Sequence, residues 1–303
     1  MDERQKAGLI EIAGGGIRFG CPLAPYTTFG VGGPAEVLYE AQNIRGLKGE
    51  IRYLFRENIP YVVIGRGSNV LVRDEGISGL VILLCGAFRA LEMETEGGPN
   101  ILAGGGVFIG NLLSFCKENG LSGLEFLAGI PGTVGGAISM NAGAFGGEIG
   151  SRVIRVEAVT AEGELKVLER SQLRFSYRNL EMEQRWIITR GWFQMVQETA
   201  SVVSGRIKDF LKRRKEAQPV DYPSAGSVFK NPPGDYAGRL IETAGLKGKC
   251  IGGAMISDKH ANYIVNRGGA RAADILALMD LIRKKVREEH GIELQPEIRV
   301  VGE

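Results

Sequence analysis

The spacing of apolar positions changes several times along the chain, and each change marks an element. Leu47, Ile51, Leu54 and Phe55 recur at helical spacing within residues 45–58. Before them, Glu36-Val37-Leu38-Tyr39-Glu40 alternates as a half-buried strand does. After them Tyr61 to Ile64 reads as a buried strand, Val70 to Val72 is a second apolar run, and Ile77 to Leu84 supplies another strand. Residues 1–20 form a polar start with room for a short helix. The order strand, helix, strand, strand predicts a small α/β unit over the first eighty-odd residues.

A second unit begins near residue 86. Ile101 to Val107 contains Gly104-Gly105-Gly106, and Ile109, Leu112, Leu113 and Cys116 give a helix over 108–119 that Gly120 stops. Strands follow at 153–159, 165–168 and 186–196, with Glu162-Gly163 as the turn between the first two. A third unit opens with a helix over 201–216, which has Val203, Ile207, Phe210 and Leu211 on one face. Its other face carries Arg206, Lys208, Lys212, Arg213, Arg214 and Lys215 and reads as solvated. Helices over 236–244 and 272–289 and a closing strand over 294–300 complete the chain. The expected boundaries are 1–85, 86–199 and 200–303.

The periodicity fails over residues 129–147. Seven of these nineteen residues are glycine, and no residue from Phe126 to Gly147 is charged. Linkers rarely interleave Ile, Val, Met and Phe with their glycines, so the stretch reads as a buried ledge. Backbone N–H groups gathered by such turns can hold the pyrophosphate of a cofactor without a charged side chain. Gly65-Arg66-Gly67-Ser68-Asn69 is a second candidate cradle. Taken alone, it reads more simply as a hairpin turn between two core strands.

Composition narrows the function classes. The chain has 303 residues, 44% hydrophobic and 24% charged, with a net charge of +2. That charge gives no case for nucleic acid or a membrane surface. Cys21, Cys85, Cys116 and Cys250 stand apart with no CxxC pair, as expected of reduced thiols in a cytoplasmic protein. Two histidines, His260 and His290, are too few for a His-rich metal site, so no metal is expected. Neither a GxSxG elbow nor a P-loop occurs. A neutral cradle suits a dinucleotide held as a cofactor better than a nucleotide being hydrolysed.

Six motifs in order carry a resemblance. They are Thr27 to Ala35, Gly65 to Asn69, Gly129 to Gly143, Tyr177-Arg178, Gly226-Ser227-Val228-Phe229-Lys230-Asn231-Pro232 and Gln295-Pro296-Glu297. Together they resemble the UDP-N-acetylenolpyruvoylglucosamine reductase (UDP-N-acetylmuramate dehydrogenase) family, in its shorter type without an inserted tyrosine loop. The resemblance implies an α+β fold: two N-terminal α/β subdomains of the flavin-binding type and a C-terminal α+β substrate domain. It implies noncovalent FAD, NADPH as hydride donor, and a UDP-sugar substrate whose enolpyruvyl group is reduced in peptidoglycan precursor synthesis. It implies nothing about an oligomer.

The same resemblance assigns residues. The catalytic set is Ser227 as proton donor, with Arg178 and Glu297. The cofactor set is Gly65, Arg66, Gly67, Ser68, Asn69, Val70, Gly129, Ile130, Gly132, Thr133, Gly135, Gly136, Asn141 and Gly143. Candidate substrate contacts are Lys215, Lys230, Asn231 and Asn262. A competing FAD oxidase reading needs a base for an alcohol proton, for which His260 is the nearest candidate.

Overall fold

The computed structural model describes residues 1–94, 98–183 and 185–303. It has an α+β fold, and the chain forms two compact units, each assembled from separate segments. The first comprises Met1–Phe19, Glu36–Arg66 and Gly79–Lys212. The second comprises Gly20–Ala35, Gly67–Ser78 and Arg213–Glu303.

In the first unit, the helix Ile44–Arg56 starts where Asn43 accepts a hydrogen bond from Gly46 N at 2.9 Å. Its Leu47, Ile51 and Leu54 are buried with Val37, Tyr39, Leu80 and Ile82. The polar start holds a helix, Glu3–Ala13, closed by left-handed Gly14. It also holds a strand, Ile17–Pro22, that the apolar pattern did not mark. That strand opens a four-stranded sheet whose order continues Pro34–Ala41, Ile77–Leu84, Tyr61–Val63.

A five-stranded antiparallel sheet runs Leu165–Glu169, Val153–Val159, Ile187–Gln194, Asn100–Gly104, Leu91–Glu94. The short helix Val134–Ser139 lies on it, with Ile138 seated against Gly191. The helix Ala200–Ala217 departs from its expected pattern at two positions. Leu211 is exposed, whereas Arg214 is buried and donates to Gln218 Oε1 at 2.8 Å. Burial disfavours the charged form of that guanidinium and lowers its pKa.

The second unit is built around the helix Ala272–His290, whose Ile275, Leu278, Ile282 and Val286 are fully buried with Leu240, Ile241, Val228 and Phe229. A three-stranded antiparallel sheet, Cys250–Ile251, Ala254–Ile256 and Ile264–Asn266, packs beside it. The helix has no side-chain cap of its own at Arg271. Asp74 replaces it, accepting from Ala272 N and Ala273 N at 2.9 Å each.

The hairpin reading of Gly65–Asn69 is corrected by the strand pairing. Tyr61–Val63 pairs in parallel with Ile77–Leu84, but Val70–Val72 pairs in parallel with Arg299–Val301. The two runs never pair with each other. The glycine turn is where the chain passes from one sheet to another, so Val70 to Val72 is not part of the first α/β unit.

Candidate functional site

The uncharged ledge keeps its shape by spending most of its own donors. Ile130 N donates to Leu127 O, Gly132 N to Ile130 O, Val134 N to Val107 O and Gly135 N to Gly105 O, all at 2.8–3.0 Å. The N–H groups of Gly129 and Thr133 are not among these donors. Thr133 caps the short helix, accepting from Gly136 N at 3.4 Å. The gathering of many free amides that the glycine count suggests is therefore narrower in the structure.

Gly65 comes to this ledge closely. A Cβ on Gly65 would stand 2.3 Å from Thr133 Oγ1, so no side chain fits there. Its neighbour Arg66 lies over the Phe108 ring, with Cζ 5.4 Å from the centroid, and Phe108 bridges to Thr133. Arg89 lies over the same ring at 5.0 Å. Neither guanidinium has a carboxylate partner among the described residues. Gly65, Arg66 and Thr133 are thus brought together. Phe108 and Arg89 join them without any sequence signal of their own.

Arg178 also belongs to the first unit. It sits at the tip of a two-residue hairpin between Arg174–Ser176 and Asn179–Glu181, an element the apolar pattern does not mark. Its φ is +57°, in the left-handed region that side chains rarely adopt. Its Cζ is 4.9 Å from the centroid of the adjacent Tyr177 ring. Asn141, at the end of the ledge, is 1% exposed. Both its amide hydrogens are donated inside the protein, to Glu148 Oε2 and to Ser176 O at 2.9 Å each.

In the second unit, Gly67 has φ +60°, and its carbonyl accepts from Thr28 N at 3.2 Å. Ser68 and Asn69 follow, half-buried. Asn69 Nδ2 donates to Glu297 O at 3.0 Å, and Arg299 N donates to Asn69 O at 2.9 Å. Glu297 N donates to Val228 O at 2.8 Å, and Lys230 N donates to Gln295 O at 2.9 Å. The segments around Ser227, Glu297 and Asn69 therefore lie side by side. Ser227 is half-buried, follows left-handed Gly226, and its hydroxyl has no partner among the described residues.

The candidate substrate residues divide. Asn262 is buried, and its side chain both donates to Phe229 O at 2.8 Å and accepts from Phe229 N at 3.0 Å. That pairing holds the segment after Ser227 as a neighbouring strand would. Asn231 is exposed and accepts from Ala237 N at 3.1 Å, which leaves its NH₂ uncommitted among the described residues. Lys230 is half-buried without an ion pair there. Lys215 is exposed, and its carbonyl accepts from Lys259 Nζ.

His260 is built into the fold: Nδ1 accepts from Asn262 N at 3.2 Å, and the ring meets Tyr263 edge-on at 4.9 Å. Burial holds its pKa below the usual imidazole value.

Comparison with known proteins fits this geometry. Residues 35–169 match the FAD binding domain model, and residues 218–301 match the model described as UDP-N-acetylenolpyruvoylglucosamine reductase, C-terminal domain. The UDP-N-acetylenolpyruvoylglucosamine reductase of Caldanaerobacter subterraneus subsp. tengcongensis is 43% identical over 93% of this chain and 92% of its own length. The chain belongs to the UDP-N-acetylenolpyruvoylglucosamine reductase family.

The member from Alkalilimnicola ehrlichii is 45% identical over 95% of this chain and 96% of its own. The crystal structure of the Thermus caldophilus reductase superposes with a TM-score of 0.81 at 40% identity, covering 93% of this chain and 97% of that one. The chain is accordingly an FAD-dependent oxidoreductase. Its residues fit the cofactor. An uncharged ledge that Gly65 leaves open and two guanidiniums lacking acidic partners suit a diphosphate. Among the described residues no helix is long and apolar enough to cross a membrane.

Proposed function

We propose that this reductase uses NADPH to convert UDP-N-acetylglucosamine enolpyruvate to UDP-N-acetylmuramate in the cytoplasm. FAD, bound noncovalently, would supply the two-electron hydride chemistry that links NADPH to the enolpyruvyl double bond. We assign the N-terminal parts, 1–85 and 86–199, to FAD and residues 200–303 to substrate.

Hydride addition to one alkene carbon leaves negative charge on the carbon beside the carboxylate and on the carboxylate oxygens. Ser227 Oγ–H gives the proton that completes the new C–H bond. An alkyl hydroxyl is a weak acid, so it acts only when close, oriented and free of competing acceptors. Arg178 pairs with the substrate carboxylate and stabilises the charge as it develops. Glu297 balances the charge around Arg178 or, when protonated, donates to the enolic intermediate.

Gly65, Arg66, Gly67, Ser68, Asn69 and Val70 approach the FAD diphosphate together with Gly129, Ile130, Gly132, Thr133, Gly135, Gly136 and Gly143. Asn141 acts in this set through the loop it shapes. Lys215, Lys230 and Asn231 meet the UDP-sugar directly, and Asn262 acts by holding the strand-like segment beside Ser227.

The observation that supports this most is the state of Ser227: a half-buried hydroxyl with no partner among the described residues, on a segment tied to Glu297 through Val228 O. The test is anaerobic mixing in two stages. NADPH is expected to bleach the flavin absorbance, and enolpyruvyl-sugar is expected to restore it with one equivalent of UDP-N-acetylmuramate formed. Bleaching by sugar alone, or no recovery on adding the enolpyruvyl substrate, overturns the proposal.

A further inference from the structure

We propose that Asn141 is a positioning residue for Arg178, joining the end of the glycine ledge to the hairpin that presents the guanidinium. The inference rests on the proposed role of Arg178 and adds to it.

The hairpin does not determine its own tip. It has only three residues in each strand, held to the core by Phe175 and Leu180, and an unsupported two-stranded hairpin is marginal in water. The residue at its tip, Arg178, holds φ +57°, which costs an arginine energy unless the surroundings enforce it.

Asn141 supplies the enforcement. Its Nδ2 donates to Ser176 O, two residues before Arg178, and to Glu148 Oε2, at 2.9 Å each. Its Oδ1 accepts from Gly150 N at 3.0 Å. Gly150 in turn packs under Phe175: a Cβ there would stand 2.5 Å from the ring. One buried amide therefore grips the loop after the ledge and the first hairpin strand together. Asn141 itself holds φ +41°, a conformation asparagine tolerates better than most residues.

The chemistry requires an amide. Aspartate has nearly the same shape but no N–H, so it would set an oxygen against Ser176 O and a second carboxylate against Glu148. Displacement of a reacting group by about 1 Å can cost on the order of a hundredfold in rate.

The test is a double-mutant cycle on the rate at which enolpyruvyl-sugar reoxidises the reduced flavin, normalised to bound FAD. Asn141→Asp is expected to slow that step by about 10–100-fold. In an Arg178→Ala background the same change is expected to slow it less than about threefold, because nothing remains to be positioned. Asn141→Ser, which keeps one donor, is expected to recover part of the rate, and it takes the place of Asn141→Asp in the cycle should the aspartate variant fail to hold FAD.

Equal proportional losses in both backgrounds overturn the inference and leave the proposed reaction standing. A wild-type reoxidation rate in Arg178→Ala alone overturns the role of Arg178, and this inference with it.

Discussion

Asn69 donates its side-chain amide to the main-chain carbonyl of Glu297 at 3.0 Å, across 228 residues of sequence. A residue of the proposed cofactor turn thereby fixes the backbone of a proposed catalytic carboxylate. Glu297 N passes the connection on to Val228 O, next to Ser227. Three of the six motifs meet in this one run of hydrogen bonds.

Ser227→Ala is expected to slow flavin reoxidation by the enolpyruvyl substrate by at least about a hundredfold, since a proton donor in the transition state contributes about 10²–10⁴-fold. Flavin reduction by NADPH should change little. Stopped-flow absorbance resolves the two half-reactions, and equal losses in both would remove Ser227 from the donor role.

Arg66→Gln is expected to weaken FAD binding by about tenfold at low ionic strength and less at high salt, since a guanidinium–phosphate contact near the surface is screened. Arg89 still lies over Phe108 in this variant, so Arg66→Gln with Arg89→Gln should lose more. Titration of apoprotein with FAD at two salt concentrations measures both. A dissociation constant unchanged in the double variant would contradict the fit of this corner to a diphosphate.

Glu50 is fully buried on the helix Ile44–Arg56, and neither carboxyl oxygen has a hydrogen-bond partner among the described residues. Burial pushes its pKa up to about 8, against 4.5 in the ordinary range. The folded state therefore keeps a proton that the unfolded chain releases above about pH 4.5. The stabilising contribution is whole below that pH, declines as pH rises, and is lost once the pH passes about 8. At about 1.4 kcal/mol per pKa unit, the loss is at most about 5 kcal/mol. Glu50→Gln should have a flatter dependence of unfolding free energy on pH across this window. Parallel curves for the two proteins would show that Glu50 does not titrate abnormally.

Asp74→Ala is expected to destabilise the protein by about 1–2 kcal/mol, the usual cost of losing a helix cap. Asp74→Asn keeps an acceptor and should lose less. The exposed contact of Asp74 with Arg271 at 3.7 Å adds little. Denaturant midpoints at constant slope measure the difference. An alanine variant as stable as the parent would mean that the start of the helix Ala272–His290 is satisfied by water.

Much of the chain was legible in order of residues. The helix Ile44–Arg56, the strand Val153–Val159 and the buried stripe Ile275, Leu278, Ile282 and Val286 all lie where their periodicity placed them. An uncharged, glycine-rich stretch was equally plain, and six motifs in sequence carried the family. These signals are local: they follow from backbone sterics, side-chain volume and period, which act over a few residues.

What only the tertiary structure decided are the partners of polar groups. Val70 to Val72 pairs with the far end of the chain instead of its neighbour. Asn141 and Asn262 spend their side chains on Ser176 O and on the main chain of Phe229, and Asp74 caps a helix nearly two hundred residues away. A buried donor or acceptor must be satisfied by whatever the folded chain brings beside it, and no local pattern records which group that will be.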